Sequence, residues 1–327
     1  MKNLQLLLLL ALPCVASPLV AQGGTRTLQN RFDGAATNDN FGYAVAVAGD
    51  VDGDGLPDLI SGAPWANPGG RNNAGAAYVY SGVSGVQLFA FGGLLAGDSA
   101  GKSVAGAGDV NGDGFADFIV GSFNADPNSL NNAGSAYVFS GATGAMIHSF
   151  DGASALDNFG YSVSGAGDVN NDGFDDVIIG ALRAKDLSFQ VVGAAYVFSG
   201  INGNLLHTLY GTTLGGDFGS SVAGVGDVDG DGFDDFVVGA PRDAVDGRAY
   251  LFSGQTGAPL LTFAGTSPVD ELGWSIAAAG DVDGDSVPDV IIGADWSNGV
   301  HGTETGAAFV YLYFIVYAAL NFPGIFG

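Results

Sequence analysis

Asp50, Asp52, Asp54 and Asp58 set carboxylates at positions 1, 3, 5 and 9 of the segment Asp50-Val51-Asp52-Gly53-Asp54-Gly55-Leu56-Pro57-Asp58. The segment returns with starts at Asp109, Asp168, Asp227 and Asp281, so successive starts are 59, 59, 59 and 54 residues apart. Oxygen donors two residues apart converge on one ion only if the backbone curls around it. The chemistry that suits such a curl is calcium ligation, since Ca²⁺ takes six to eight hard oxygens with little demand for rigid geometry. Gly at position 6 allows the tight turn in four of the five copies.

The expected donors of the first loop are Asp50, Asp52, Asp54 and Asp58 with the carbonyl of Leu56. The second offers Asp109, Asn111, Asp113 and Asp117 with Phe115, and the third Asp168, Asn170, Asp172 and Asp176 with Phe174. Asp227, Asp229, Asp231 and Asp235 with Phe233 form the fourth set. The fifth has Asp281, Asp283, Asp285 and Asp289 with Val287, but Ser286 replaces the glycine. If position 6 needs a positive φ, that site is the most strained. Asp, Asn and Gly are also ordinary turn formers, so one copy alone says little. Five copies in register, each crowding mutually repelling carboxylates, point to about five bound Ca²⁺. The loops do not read as EF-hands, because no copy has Glu at position 12 and the flanks are not helical.

Short β-rich runs surround each loop. A small-residue segment such as Phe41 to Gly49 precedes it, and an apolar run such as Asp117-Phe118-Ile119-Val120-Gly121 follows. After a variable hydrophilic stretch come Gly134-Ser135-Ala136-Tyr137-Val138-Phe139 and a closing run such as Met146 to Phe150. This is strand and turn chemistry. Repetition at this period predicts an all-β β-propeller of four-stranded antiparallel blades. The small residues of the first run suit a strand crowded near a central axis. The repeats fall at about 35–92, 93–152, 153–211, 212–265 and 266–311. Leu28 to Gly34 resembles a fourth strand without its first three, and the last repeat supplies three strands. The two are expected to pair and close a ring of five blades, removing exposed sheet edges.

Formal charge is −25, from 34 acidic and 9 basic side chains, and the donor positions of the five loops hold 18 of the acids. Five divalent ions would offset about ten of those charges. With no basic patch to neutralise phosphates, nucleic acid is not an expected partner. Residues 1–21 read as an export signal: Lys2, an apolar Leu4–Leu12 core, and cleavage after Ala21. The only cysteine, Cys14, lies inside it. Residues 22–311 would then be a propeller that is secreted, periplasmic or on the cell surface. Millimolar calcium outside the cell suits such sites. Residues 312–327 make an atypical apolar tail; the unbroken apolar run from Ala307 is shorter than the roughly 20 residues of a membrane helix. A sticky tail, a degenerate or truncated further blade and an anchoring segment are the readings for it, membrane spanning being the least expected; at the Cys14 signal, soluble export is favoured over lipid anchoring.

Phe41-Gly42, Asp50 to Asp58, Gly62-Ala63-Pro64 and Gly75-Ala76-Ala77-Tyr78 together resemble the FG-GAP repeat of integrin alpha-chain β-propellers. Phe218-Gly219, Asp227 to Asp235, Gly239-Ala240-Pro241 and Gly247-Arg248-Ala249-Tyr250 repeat the pattern. The resemblance covers about residues 28–311. It implies that the five Asp-rich loops bind calcium in blade hairpins and that the ring is an extracellular recognition platform. The chain departs from the pattern at Ala100 and Leu272, which replace the Phe of Phe-Gly. It also shows five repeats, where the integrin ring has seven blades.

Acid–base chemistry needs a differentiated pair of groups, whereas these acids are duplicated in every repeat. His148 and His207 hold matching places in successive repeats, and the recurring Ser81-Gly82, Ser140-Gly141, Ser199-Gly200 and Ser253-Gly254 read as turns rather than a hydrolase elbow. The expectation is a non-enzymatic adhesion or recognition module for an extracellular protein or glycan. The alternatives are a secreted hydrolase or lyase on the same scaffold, whose site would be one non-repeated polar cluster, and a purely structural surface protein. The variable stretches 65–73, 123–132, 182–191, 242–246 and 296–305 are the places for such a cluster. Their aromatics Trp65, Phe123, Phe189 and Trp296 would either anchor a partner or pin the loops.

Overall fold

Alternating and fully apolar runs become short antiparallel strands, four to a sheet in the first four sheets and three in the fifth. The computed structural model describes residues 30–297 and 305–312. The chain divides into two units, residues 1–32 and 33–327, and every strand described belongs to the second. The first sheet is β1 (Ala44–Gly49), β2 (Asp58–Ala63), β3 (Ala76–Tyr80) and β4 (Gln87–Gly92). The second is β5 (Ser103–Gly108), β6 (Asp117–Ser122), β7 (Ser135–Phe139) and β8 (Met146–Asp151). The third is β9 (Phe159–Gly167), β10 (Asp176–Ala181), β11 (Ala194–Phe198) and β12 (Leu205–Tyr210). The fourth is β13 (Val222–Gly226), β14 (Asp235–Ala240), β15 (Arg248–Phe252) and β16 (Pro259–Ala264), and the fifth is β17 (Leu272–Gly280), β18 (Asp289–Ala294) and β19 (Ala307–Tyr311). Within each sheet the strands follow chain order, an up-and-down meander. No helix among the described residues is long and apolar enough to cross a membrane.

The sheets stack face to face in sequence. Phe118 of β6 and Ile60 of β2 share one apolar cluster between the first two sheets, with Val79, Val104 and Val120. Val177 and Ile119 do the same between the second and third. Strands β6, β10 and β14 are buried at all six positions because a sheet covers each face. The first strands of neighbouring sheets also lie close together. A Cβ added at Gly106, Gly165 or Gly224 would approach the preceding first strand's backbone to 2.9, 3.0 or 2.6 Å, which explains their small residues. Ser103, Ser162 and Ser221 hydroxyls donate across to the carbonyls of Gly160, Gly219 and Gly273 at 2.9, 2.8 and 2.7 Å. Parallel bridges Gly75–Ala100, Gly134–Phe159, Gly193–Phe218 and Gly247–Leu272 join each sheet to the next. These are the blades and blade junctions of a β-propeller.

The closing strand expected at Leu28–Gly34 begins outside the described residues, and residues 30–34 carry no strand, so the fifth sheet is described with three strands. Leu59 is 41% exposed where its counterparts Phe118, Val177, Phe236 and Val290 are at 0%. Val310 is 46% exposed where Val79, Val138 and Val197 are at 0%. Among the described residues, the outward faces of the first and last sheets thus lack the cover that each internal face has. The export signal, the apolar tail beyond residue 312 and His301 lie outside the described residues.

Candidate metal centre

Each Asp-rich loop joins the first and second strands of its sheet, and position 9 opens the second strand. Asp58, Asp117, Asp176, Asp235 and Asp289 are all at 0% exposure there. Their Oδ2 atoms accept from the position-2 N–H groups of Val51, Val110, Val169, Val228 and Val282, at 2.7–3.0 Å. In the first four sheets Oδ1 accepts from the glycine after the third strand: Gly82, Gly141, Gly200 and Gly254, at 2.9–3.0 Å. The recurring Ser-Gly turns therefore serve the loops. One buried carboxylate ties the loop to the far turn of its own sheet.

Position 1 sets the curl. Asp50, Asp109, Asp168 and Asp227 accept through Oδ2 from the position-6 N–H groups of Gly55, Gly114, Gly173 and Gly232, each at 2.9 Å, and Asp281 accepts likewise from Ser286 at 2.9 Å. Position 3 accepts from position 5 in four loops, for example Asp113 N to Asn111 Oδ1 at 2.9 Å. Asp54, Asp113, Asp172, Asp231 and Asp285 of position 5 accept from position 7, the N–H groups of Leu56, Phe115, Phe174, Phe233 and Val287. The backbone turns left-handed at position 6, with φ of 87, 87, 90 and 90° at the glycines and 71° at Ser286. Position 4 is left-handed as well, at Gly53, Gly112, Asn171, Gly230 and Gly284, with φ between 56 and 84°.

These residues fit a hard cation. Ligand atoms of Asp50, Asp52 and Asp58 lie within 4.8 Å of one another, as do those of Asp227, Asp229 and Asp235, and of Asp281, Asp283 and Asp285. Burial pushes the carboxyls of Asp117 and Asp235 up to about 6 and that of Asp176 to about 7, and neighbouring loop carboxylates add to the rise. Asn170 Oδ1, at position 3 of the third loop, is buried without a hydrogen-bond partner. A divalent cation would relieve both the crowded charge and the orphaned oxygen.

The other candidates fall elsewhere. His148 and His207 reach across junctions to the carbonyls of Gly200 and Gly254, at 2.5 and 2.6 Å, as positions between blades. Trp65 packs edge-on to Tyr43 and Phe123 edge-on to Tyr161, with ring centroids 5.5 and 5.7 Å apart. Those two aromatics pin their loops, whereas Phe189 is 85% and Trp296 48% exposed. The first strands line a cavity of about 510 Å³ bearing Tyr43, Lys102, Tyr161 and Trp274. Its lining among the described residues contains no carboxylate and no histidine.

Four successive four-stranded units and a fifth described with three strands, each with a nine-residue acidic hairpin loop, define a propeller built from one acidic-loop repeat. The FG-GAP repeat model matches residues 41–80, 100–139, 159–198, 218–252 and 272–311, more than half of the chain, and the chain belongs to this family. It is 35% identical to integrin alpha-5 of Xenopus laevis over 213 residues, covering 59% of this chain and 20% of that protein. It is 33% identical to integrin alpha-V of Gallus gallus over 210 residues, covering 59% and 20%. It is 36% identical to integrin alpha-6 of Homo sapiens over 154 residues, covering 45% and 13%. The chain thus spans a fifth or less of these relatives. A solved structure, "Structure of Dos1 propeller", matches at TM-score 0.42 and 16% identity, over 78% of this chain and 51% of that one.

Proposed function

We propose that this chain is a calcium-binding, non-catalytic recognition or adhesion module of the extracellular or cell-surface space. Its five Asp-rich loops would each hold one Ca²⁺, and its variable stretches would meet an extracellular protein or glycan. The observation that carries the reading is the division of labour along each second strand. β2 starts at the buried Asp58 of the metal loop and ends at Ala63, just before the variable stretch 65–73. The metal loops and the variable stretches therefore stand at opposite ends of the same six-residue strand, roughly 20 Å apart. Loops presented from a rigid scaffold can vary without disturbing it. The exposed Phe189 and Trp296 are the natural anchors, and membership of the FG-GAP family supports both the metal and the platform.

A pull-down and glycan-array screen of the chain, with calcium and with chelator, tests this. The expected result is a calcium-dependent protein or glycan ligand whose capture weakens on Phe189→Ala or Trp296→Ala. Turnover of an offered polysaccharide or phosphoester, lost on changing one variable stretch, would contradict it.

A further inference from the structure

We propose that the loops of the second, third and fourth sheets take up calcium cooperatively, coupled by Asp175 and Asp234. The inference rests on the calcium reading of the loops and assigns a role to two carboxylates outside the five donor sets. Asp175 is position 8 of the third loop, but its Oδ2 accepts from the N–H of Asp109, position 1 of the second loop, at 2.7 Å. Asp234, position 8 of the fourth loop, accepts from Asp168 N, position 1 of the third, at 2.9 Å. Each pair is clasped twice, since Asp175 N donates to Asp109 O at 3.3 Å and Asp234 N to Asp168 O at 3.1 Å. Gly108 and Gly167 make room: a Cβ on either would overlap the carboxylate of Asp175 or Asp234.

The other two junctions lack this device. Position 8 of the second loop is Ala116, which gives only its backbone N–H to Asp50 O at 2.9 Å. Position 8 of the fifth is Pro288, which has neither a backbone N–H nor a carboxylate. The first and fifth loops are thus weakly linked or insulated, and the central three form a chain.

Coupling follows from which atoms are held. In the third loop Asp175 stands between Phe174 and Asp176, both candidate ligands, so an ion there fixes its backbone. Asp175 in turn fixes Asp109, whose two carboxylate oxygens accept from Gly112, Asp113 and Gly114 and set the curl of the second loop. The second loop then has less left to order when its own ion arrives, which is positive cooperativity. A carboxylate between two loops also moderates the repulsion of their ions.

Amide NMR of the full chain titrated with calcium chloride separates the sites, because the Gly114 and Gly173 N–H groups report the second and third loops. Disabling the third loop by Asp172→Ala should raise the calcium needed to half-saturate the Gly114 signal about fivefold or more. In an Asp175→Ala background the same change should leave Gly114 unmoved, while Asp175→Asn, which keeps an acceptor, should retain coupling. Asp285→Ala in the fifth loop should leave the Gly232 signal of the fourth unchanged. If Asp172→Ala does not fold, Asp172→Leu, close in size and without a side-chain oxygen, replaces it. A Gly114 midpoint indifferent to Asp172→Ala, or equally shifted with and without Asp175, overturns the inference. Failure of every glycine signal to respond to calcium would instead overturn the calcium reading itself.

Discussion

Ser286 holds a backbone conformation that the other four loops give to glycine, with φ of 71°. A side chain in the left-handed region costs about 1 kcal/mol or more, so Ser286→Gly should raise thermal stability and tighten calcium at the fifth loop. Calorimetry of the variant checks both. The buried Asp117, Asp176 and Asp235 carry a second expectation, because burial raises their carboxyls to about 6, 7 and 6. An unfolded chain loses those protons near pH 4, whereas the metal-free fold keeps them until about pH 6–7. Stability without calcium should therefore be fully present below about pH 4, fall as pH rises through the window to about 7, and level off above it. With calcium bound the trend should reverse, since protons compete with the ion, and melting curves from pH 4 to 8 in chelator and in calcium measure both. Positions 1, 3, 5 and 9 were legible in the sequence because their chemistry repeats in every copy. Position 4 was not, since Gly53 or Asn171 reads as an ordinary turn residue. Asp175 and Asp234 were hidden as extra acids among many, and only the fold shows that they reach into the preceding loop.

The strands were legible from their apolar runs and small-residue first segments, and the blade count of five matches the five sheets. What the runs do not announce is which residues touch across a junction. Gly121 is one: a Cβ there would come within 2.1 Å of the Gly160 carbonyl oxygen on the neighbouring sheet. Gly293 holds the same place in the fifth sheet and would meet first only the hydroxyl of Ser275 in its own sheet. Gly121→Ala should cost about 1–3 kcal/mol by forcing two sheets apart, and Gly293→Ala clearly less, as denaturant unfolding of the two variants would show. The fourth strand of the last sheet, assigned from likeness to Leu28–Gly34, does not appear in residues 30–34. A short run with one phenylalanine and one glycine matches a strand pattern by composition, and nothing in it specifies the edge to which it pairs.

Across the whole molecule, stability is divided between apolar junctions and acidic loops, and the two are joined at the buried position-9 carboxylates. A chain with formal charge −25 and five such loops folds against its own repulsion, which bound cations would offset. The first and last faces, with Val45 at 72%, Val47 at 60% and Val310 at 46% exposure, contribute no such junction among the described residues. The burden on the four internal junctions and their loops is correspondingly larger. Loss of calcium should thus be felt through the entire array, because each blade leans on its neighbours. The most direct test is paired calorimetry of the chain in millimolar calcium and in excess chelator, with the bound calcium counted by isothermal titration. Calcium as the structural ion of the loops predicts about five ions per chain and a melting temperature at least about 10 °C lower in chelator, the size expected when several sites stabilise only the folded state. Equal melting temperatures in the two conditions, or no measurable calcium uptake, would contradict it.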